Sequence, residues 1–106
     1  MSQTARFPNI LNSTLVLSCL TEHLAVIYQF KVRSLALFGS VARNEATSDS
    51  DLDFLVEFEG SATFDGYMDL KFFLEELLGR SVDLVIKGDL KARIKERVLE
   101  EAIYVA

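Results

Sequence analysis

Residues 52–58 read LDFLVEF, an apolar run entered through two carboxylates one residue apart, Asp51 and Asp53. In a strand, side chains at i and i+2 leave on the same side. Asp51 and Asp53 therefore share one face, and Leu52 and Phe54 turn to the other, the core side. Two like charges held a few ångströms apart cost free energy unless a cation lies between them or one takes up a proton. Hard carboxylate oxygens suit Mg²⁺, which favours a few carboxylates completed by water and phosphate oxygens. A D-x-D alone is a common pattern, so its weight depends on what surrounds it.

Two further stretches supply that context. SVDLVI, residues 81–86, is another short apolar run with one acid inside it, Asp83. If the two strands are neighbours, Asp83 meets Asp51 and Asp53 on one sheet face, and three converging carboxylates suit two-metal phosphoryl transfer. Upstream, SLALF, residues 34–38, stops at Gly39-Ser40. Glycine allows close approach of a ligand and leaves amides for phosphate oxygens, and the Ser40 hydroxyl is a further donor. Asp49 shares the parity of Asp51 and Asp53 but sits in a polar segment, where a solvated turn or cap is the simpler reading.

The chain has 106 residues, one domain's worth, expected to span 1–106. Half of the residues are hydrophobic, which indicates a globular chain. The formal net charge of -5 argues against nucleic-acid binding through a broad basic surface, though not against a nucleotide whose phosphates are offset by divalent cations. The single cysteine, Cys19, excludes an intrachain disulfide and reads as a small buried hydrophobe. No signal peptide and no apolar stretch of the ~18 residues needed to span a membrane is seen, so a cytoplasmic protein without membrane contact is expected.

Periodicity predicts a helix from Asn9 to about Phe30 after a loose start ending near Pro8, with Asn12 or Ser13 as its cap. A single helical turn is possible at VAR, 41–43. Gly60 to Gly66 reads as a loop, 67–78 as an amphipathic helix stopped by Gly79, and Asp89 to about Tyr104 as a last helix capped by Asp89. The order helix, strand, strand, helix, strand, helix gives an α/β (α+β) fold, a small mixed β-sheet with helices packed on it.

Gly39-Ser40, ten intervening residues and Asp51-x-Asp53 match the G-S-x10-D-x-D signature of the DNA polymerase β-like nucleotidyltransferases. The stretch FGSVARNEATSDSDLDFLVEF, with the final EEAIYV, most resembles the minimal nucleotidyltransferases encoded beside HEPN-domain partners, over nearly the whole chain. The resemblance implies a polymerase β palm-like fold. It implies that Asp51 and Asp53 hold Mg²⁺, as two ions, with Asp83 as third acid and candidate base, and that Gly39 and Ser40 hold the triphosphate of ATP. The implied activity is that of an antitoxin: transfer of AMP from ATP to a tyrosine of a HEPN ribonuclease toxin, with release of pyrophosphate. Alternatives are a non-catalytic antitoxin that acts by binding, and transfer to a small-molecule acceptor. Two departures stand out: Asn44 where the family often has Gly, which keeps the turn because Asn tolerates left-handed backbone, and Ser48 where it often has Pro.

Other residues read less sharply. Arg43 steadies either the triphosphate or an acidic neighbour such as Glu45. His23 reads as structural or partly exposed, and Phe72 and Phe73 as core rather than base-stacking. The basic set Lys87, Lys91, Arg93, Lys95 and Arg97 reads as a solvated helix face, with a partner surface as the alternative.

Overall fold

The computed structural model describes residues 12–47 and 49–106. The loose start, the Asn9 to Leu11 part of the first predicted helix, and Ser48 lie outside them. A four-stranded sheet runs in the order β3-β2-β1-β4. Its strands are β1 (Val32–Phe38), β2 (Leu52–Phe58), β3 (Val82–Ile86) and β4 (Ile103–Tyr104). β1 is antiparallel to both β2 and β4, and β2 is parallel to β3. A parallel pair needs a long crossover, and α4 (Phe64–Leu78) supplies it.

The two sheet faces are covered unequally. Leu35, Leu37, Leu52, Phe54, Val56, Val82 and Leu84 share one core with Val16 and Leu20 of α1 (Ser13–Thr21), Ile27 of α2 (Leu24–Tyr28), and Leu70, Leu74 and Leu78 of α4. The opposite parity gives a smaller cluster in which Ala36 and Leu55 meet Val98 of α5 (Ala92–Glu101). Asp53 and Asp83 have the parity of Leu55 and Val85. They therefore stand on the thinly covered face, beside α5.

Local chemistry sets most boundaries. Asn12 caps α1 by accepting from Leu15 N at 2.9 Å, and Thr63 caps α4 by accepting from Gly66 N at 3.0 Å. That cap moves the start of α4 to Phe64, inside the segment read as a loop. Gly79 closes α4 in the left-handed region at φ 69°.

Further expectations are corrected. The first helix is two: His23 N bonds Leu20 O, an i−3 bond, while the His23 ring takes the Cys19 carbonyl at 2.8 Å, so the i−4 ladder is broken there. Asp89 does not cap α5. It ends a 3-10 turn, Lys87–Asp89, and the cap position falls to Lys91 without a side-chain bond. The last helix stops at Glu101, because Ala102 turns extended and Ile103 and Tyr104 pair with Leu37 and Ala36 as a fourth strand. The β-formers of IYV complete an edge of the sheet in preference to another helical turn. Cys19 is buried as expected, and Phe73 packs on Phe30 with ring centroids 5.3 Å apart. Phe72 is instead 55% exposed and is not core. Among the described residues no helix is long and apolar enough to cross a membrane.

Candidate active site

Register builds the site. Phe38 is the Cα partner of Asp53 across β1 and β2, and Asp53 is the partner of Asp83 across β2 and β3. Asp51 precedes β2 by one residue and has the same parity as Asp53. The three acids thus come to one edge of one face, as the strand parity predicts. Asp51 and Asp83 are exposed, and Asp53 is half-buried between them.

Gly39 follows Phe38 directly, so the Gly39-Ser40 turn begins against Asp53. Its φ of 78° lies in the left-handed region, and an added β-carbon would fall on Asp53 Oδ2. Glycine is thus needed both for the backbone and for the room. From Gly39 the chain makes the one helical turn expected near VAR, α3 (Gly39–Ala42), and then reaches Arg43. Asn44 takes the left-handed conformation expected of it, at φ 59°, and its Oδ1 accepts from Ser13 N at 2.9 Å. Among the described residues the Ser40 hydroxyl has no protein partner.

Glu101 is the site residue that sequence reasoning missed. Its Oε2 accepts from Gly39 N at 2.8 Å, and its two oxygens accept from Arg43 Nη1 at 3.0 and 3.2 Å. Arg43 Nε donates to Glu45 Oε1 at 3.0 Å. Arg43 therefore has acidic neighbours, one of its two expected arrangements, and the Gly39 amide is already engaged rather than free. The signal appears only once the helix is seen to end at Glu101, where the dipole favours cations and an acid calls for a positive partner.

The electrostatics record the crowding. Burial first, then the charges of Asp83 and Asp51, push the Asp53 carboxyl up to about 6; Arg43 opposes the shift and Glu101 adds to it. Glu45 first and Glu101 second hold the Arg43 guanidinium above its ordinary value. As placed, no three acidic, cysteine or histidine side chains among the described residues stand close enough to grip a metal ion. The donor set still fits one: three hard carboxylates gather at one strand edge, and the central one is pushed towards its neutral form by burial and by the charges of the other two.

A raised acid pKa weakens folding as pH rises. Well below pH 3.8 Asp53 is neutral in both states. Between the ordinary value of 3.8 and about 6 the folded protein holds the proton that the unfolded chain has lost, and this stabilisation is gone above about 6. Solvent screening in a half-open site leaves on the order of 1 kcal/mol. In metal-free buffer, the melting temperature of wild type minus that of Asp53→Asn should fall as pH rises from 4 to 7. A flat difference would contradict the crowding.

Two clefts flank the acids. One is lined by Phe38, Asp83, Arg93 and Ile94, the other by Gly39, Arg43, Arg97 and Glu101. Arg93, Lys95 and Arg97 are exposed on α5 and Lys91 is exposed at its cap position, with Lys91, Arg93 and Arg97 on the cleft walls. Lys87 lies apart, within 3.9 Å of Glu57 and over the Tyr104 ring.

The model of the nucleotidyltransferase domain family matches residues 21–105. The protein adenylyltransferase MntA of Thermococcus cleftensis is 45% identical over 89 residues, which are 83% of this chain and 90% of that protein. A solved structure assigned as a minimal nucleotidyltransferase superposes with a TM-score of 0.74 at 43% identity, covering 84% of this chain and 92% of its own. A chain from the complex of an MNT antitoxin with the tri-AMPylated HEPN toxin of Shewanella oneidensis shares the fold, with a TM-score of 0.62 at 17% identity, covering 85% and 71%.

Proposed function

Because the chain belongs to the nucleotidyltransferase domain family, we propose that it is a protein adenylyltransferase, transferring AMP from ATP to a tyrosine hydroxyl of a HEPN-type toxin and so silencing it. The carrying observation is the row Phe38–Asp53–Asp83 with the Gly39 turn packed on Asp53. It supports a reading in which the turn meets phosphate beside paired carboxylates, the two halves of a phosphoryl-transfer site. The name of the Thermococcus relative and the AMPylated toxin beside an MNT antitoxin in the Shewanella structure support the acceptor class.

In this reading Asp51, Asp53 and Asp83 hold Mg²⁺, which when bound offsets phosphate charge and acidifies the attacking hydroxyl. Ser40, whose hydroxyl has no partner among the described residues, and Arg43 orient the triphosphate. The tyrosine oxygen forms a bond to the α-phosphorus, the bond from that phosphorus to the bridging oxygen breaks, and pyrophosphate leaves. The hydroxyl proton passes to Asp83 and on to water. Asp83 suits this role because it is exposed while Asp53 is half-buried against Gly39. The thin cover on this face leaves the acids open, as a site needs when its acceptor arrives on another protein's surface.

Co-expression with the HEPN-type protein, followed by intact-mass measurement of that partner, tests the reading. A gain of one or more adenylyl units, lost when Asp53 is Asn, is the expected result. A silenced partner of unchanged mass would establish inhibition by binding alone.

A further inference from the structure

Arg43 is held on two edges. Glu45 takes Nε and Glu101 takes Nη1, while Nη2 has no bond to protein among the described residues. A guanidinium is planar with donors in a fixed fork, so fastening two edges fixes the direction of the third. Glu45 alone is a weak fastening, since it is two residues away in an exposed turn and its side chain is 65% exposed. Glu101 is different. Its side chain is 21% exposed and it sits at the end of α5. The chain then turns at Ala102 into β4, which pairs with β1, the strand that delivers Gly39. The same carboxylate also accepts from Gly39 N. One side chain thus links the start of the turn to the cation at its end.

We propose that Glu101 is a positioning residue for nucleotide binding: it clamps Arg43 to the Gly39 amide so that the free Nη2 edge of Arg43 is aimed at phosphate oxygens held on the Gly39-Ser40 turn. The inference rests on the reading that a nucleoside triphosphate binds at this turn. A guanidinium aimed before the ligand arrives loses little freedom on binding. The same group left to swing in solvent contributes far less. A fourth carboxylate near three others, and near where a tetra-anionic ligand binds, is costly unless its charge is absorbed. Arg43 and the Gly39 N–H absorb it.

The test is calorimetric titration of the full chain with a non-hydrolysable ATP analogue and Mg²⁺, for wild type, Arg43→Ala, Glu101→Gln and the double variant, with a thermal melt of each. Glu101→Gln should weaken binding ~10-fold, and the double variant should bind no worse than Arg43→Ala. That non-additivity separates positioning from general support of the fold. If Glu101→Gln melts below the titration temperature, Glu101→Asp replaces it, keeping the charge but drawing it back by one methylene. Equal losses in the presence and absence of Arg43, unchanged binding by the Glu101 variant, or tighter binding would each overturn the proposal; tighter binding would make Glu101 a competitor for the phosphates. If Arg43→Ala binds like wild type, the assignment of Arg43 to phosphate fails and takes the proposal with it. If wild type binds no analogue, the underlying reading of the site fails.

Discussion

Asp53→Asn should yield a folded protein that transfers AMP at least ~10³-fold more slowly. The change keeps the shape of the side chain and removes its charge. Asp53 stands in the middle of the row, with Phe38 on one side and Asp83 on the other. Burial and its neighbours also push its carboxyl up to about 6. On the proposed reading, loss of its charge removes the central metal ligand and would leave a divalent ion with two exposed carboxylates. The fold should gain rather than lose. At pH 7 the variant sheds like-charge repulsion of on the order of 1 kcal/mol, which for a domain of this size raises the melting temperature by about 4 °C. Activity and stability thus move in opposite directions. A variant that lost both would show Asp53 to be a structural residue, and one that kept its activity would remove it from the site.

The second large effect is expected at Gly39. An L-residue at φ 78° carries a backbone cost of about 1–2 kcal/mol. At Gly39 the added methyl group would also land on Asp53 Oδ2. Asp53 is anchored by Leu52 and Phe54, both fully buried, so the strand cannot yield and the carboxylate must turn away. Gly39→Ala should cost roughly 2–3 kcal/mol in denaturant unfolding and reduce transfer by ~10²-fold or more, since misplacement by an ångström is enough for that. Gly60→Ala is the internal control. Gly60 has a similar φ of 73° but open space where a β-carbon would go. It should show the backbone cost alone, with transfer unchanged. Equal losses at the two glycines would mean that the contact with Asp53 carries no weight.

The parts of this molecule that were legible in its sequence are those set by short-range rules. Strand parity placed Asp51, Asp53 and Asp83 on one face, because alternation is a property of each strand alone. The end of β1 at Gly39, the single turn after it and the left-handed Asn44 follow from the conformational range of those residues. What was not legible depends on partners distant in sequence. The helix expected to reach Tyr104 stops at Glu101 because β1, more than sixty residues earlier, has an edge to be filled. Glu101 reads as one more acid on a charged helix until that strand exchange carries it to Gly39. The break at His23 was hidden for a different reason: a ring nitrogen bonding the Cys19 carbonyl leaves no mark on hydrophobic periodicity. Phe72 was misjudged because FF inside a helical run puts only one ring on the apolar stripe, and Phe73 holds that place.

The two-residue strand β4 has a consequence in time as well as in space. It is made from Ile103 and Tyr104, and Val105 N adds a bond of 2.9 Å to Leu35 O. The paired acids and the glycine turn emerge from the ribosome well before these residues. A nascent chain in which residues 97–106 are not yet free to fold has β1, β2 and β3 available, yet no Glu101 at Gly39 and no β4 along β1. Asp53 and Asp83 can therefore align across β2 and β3 before Glu101 reaches the Gly39 turn. In the order of synthesis, docking of α5 and β4 comes last among the elements described.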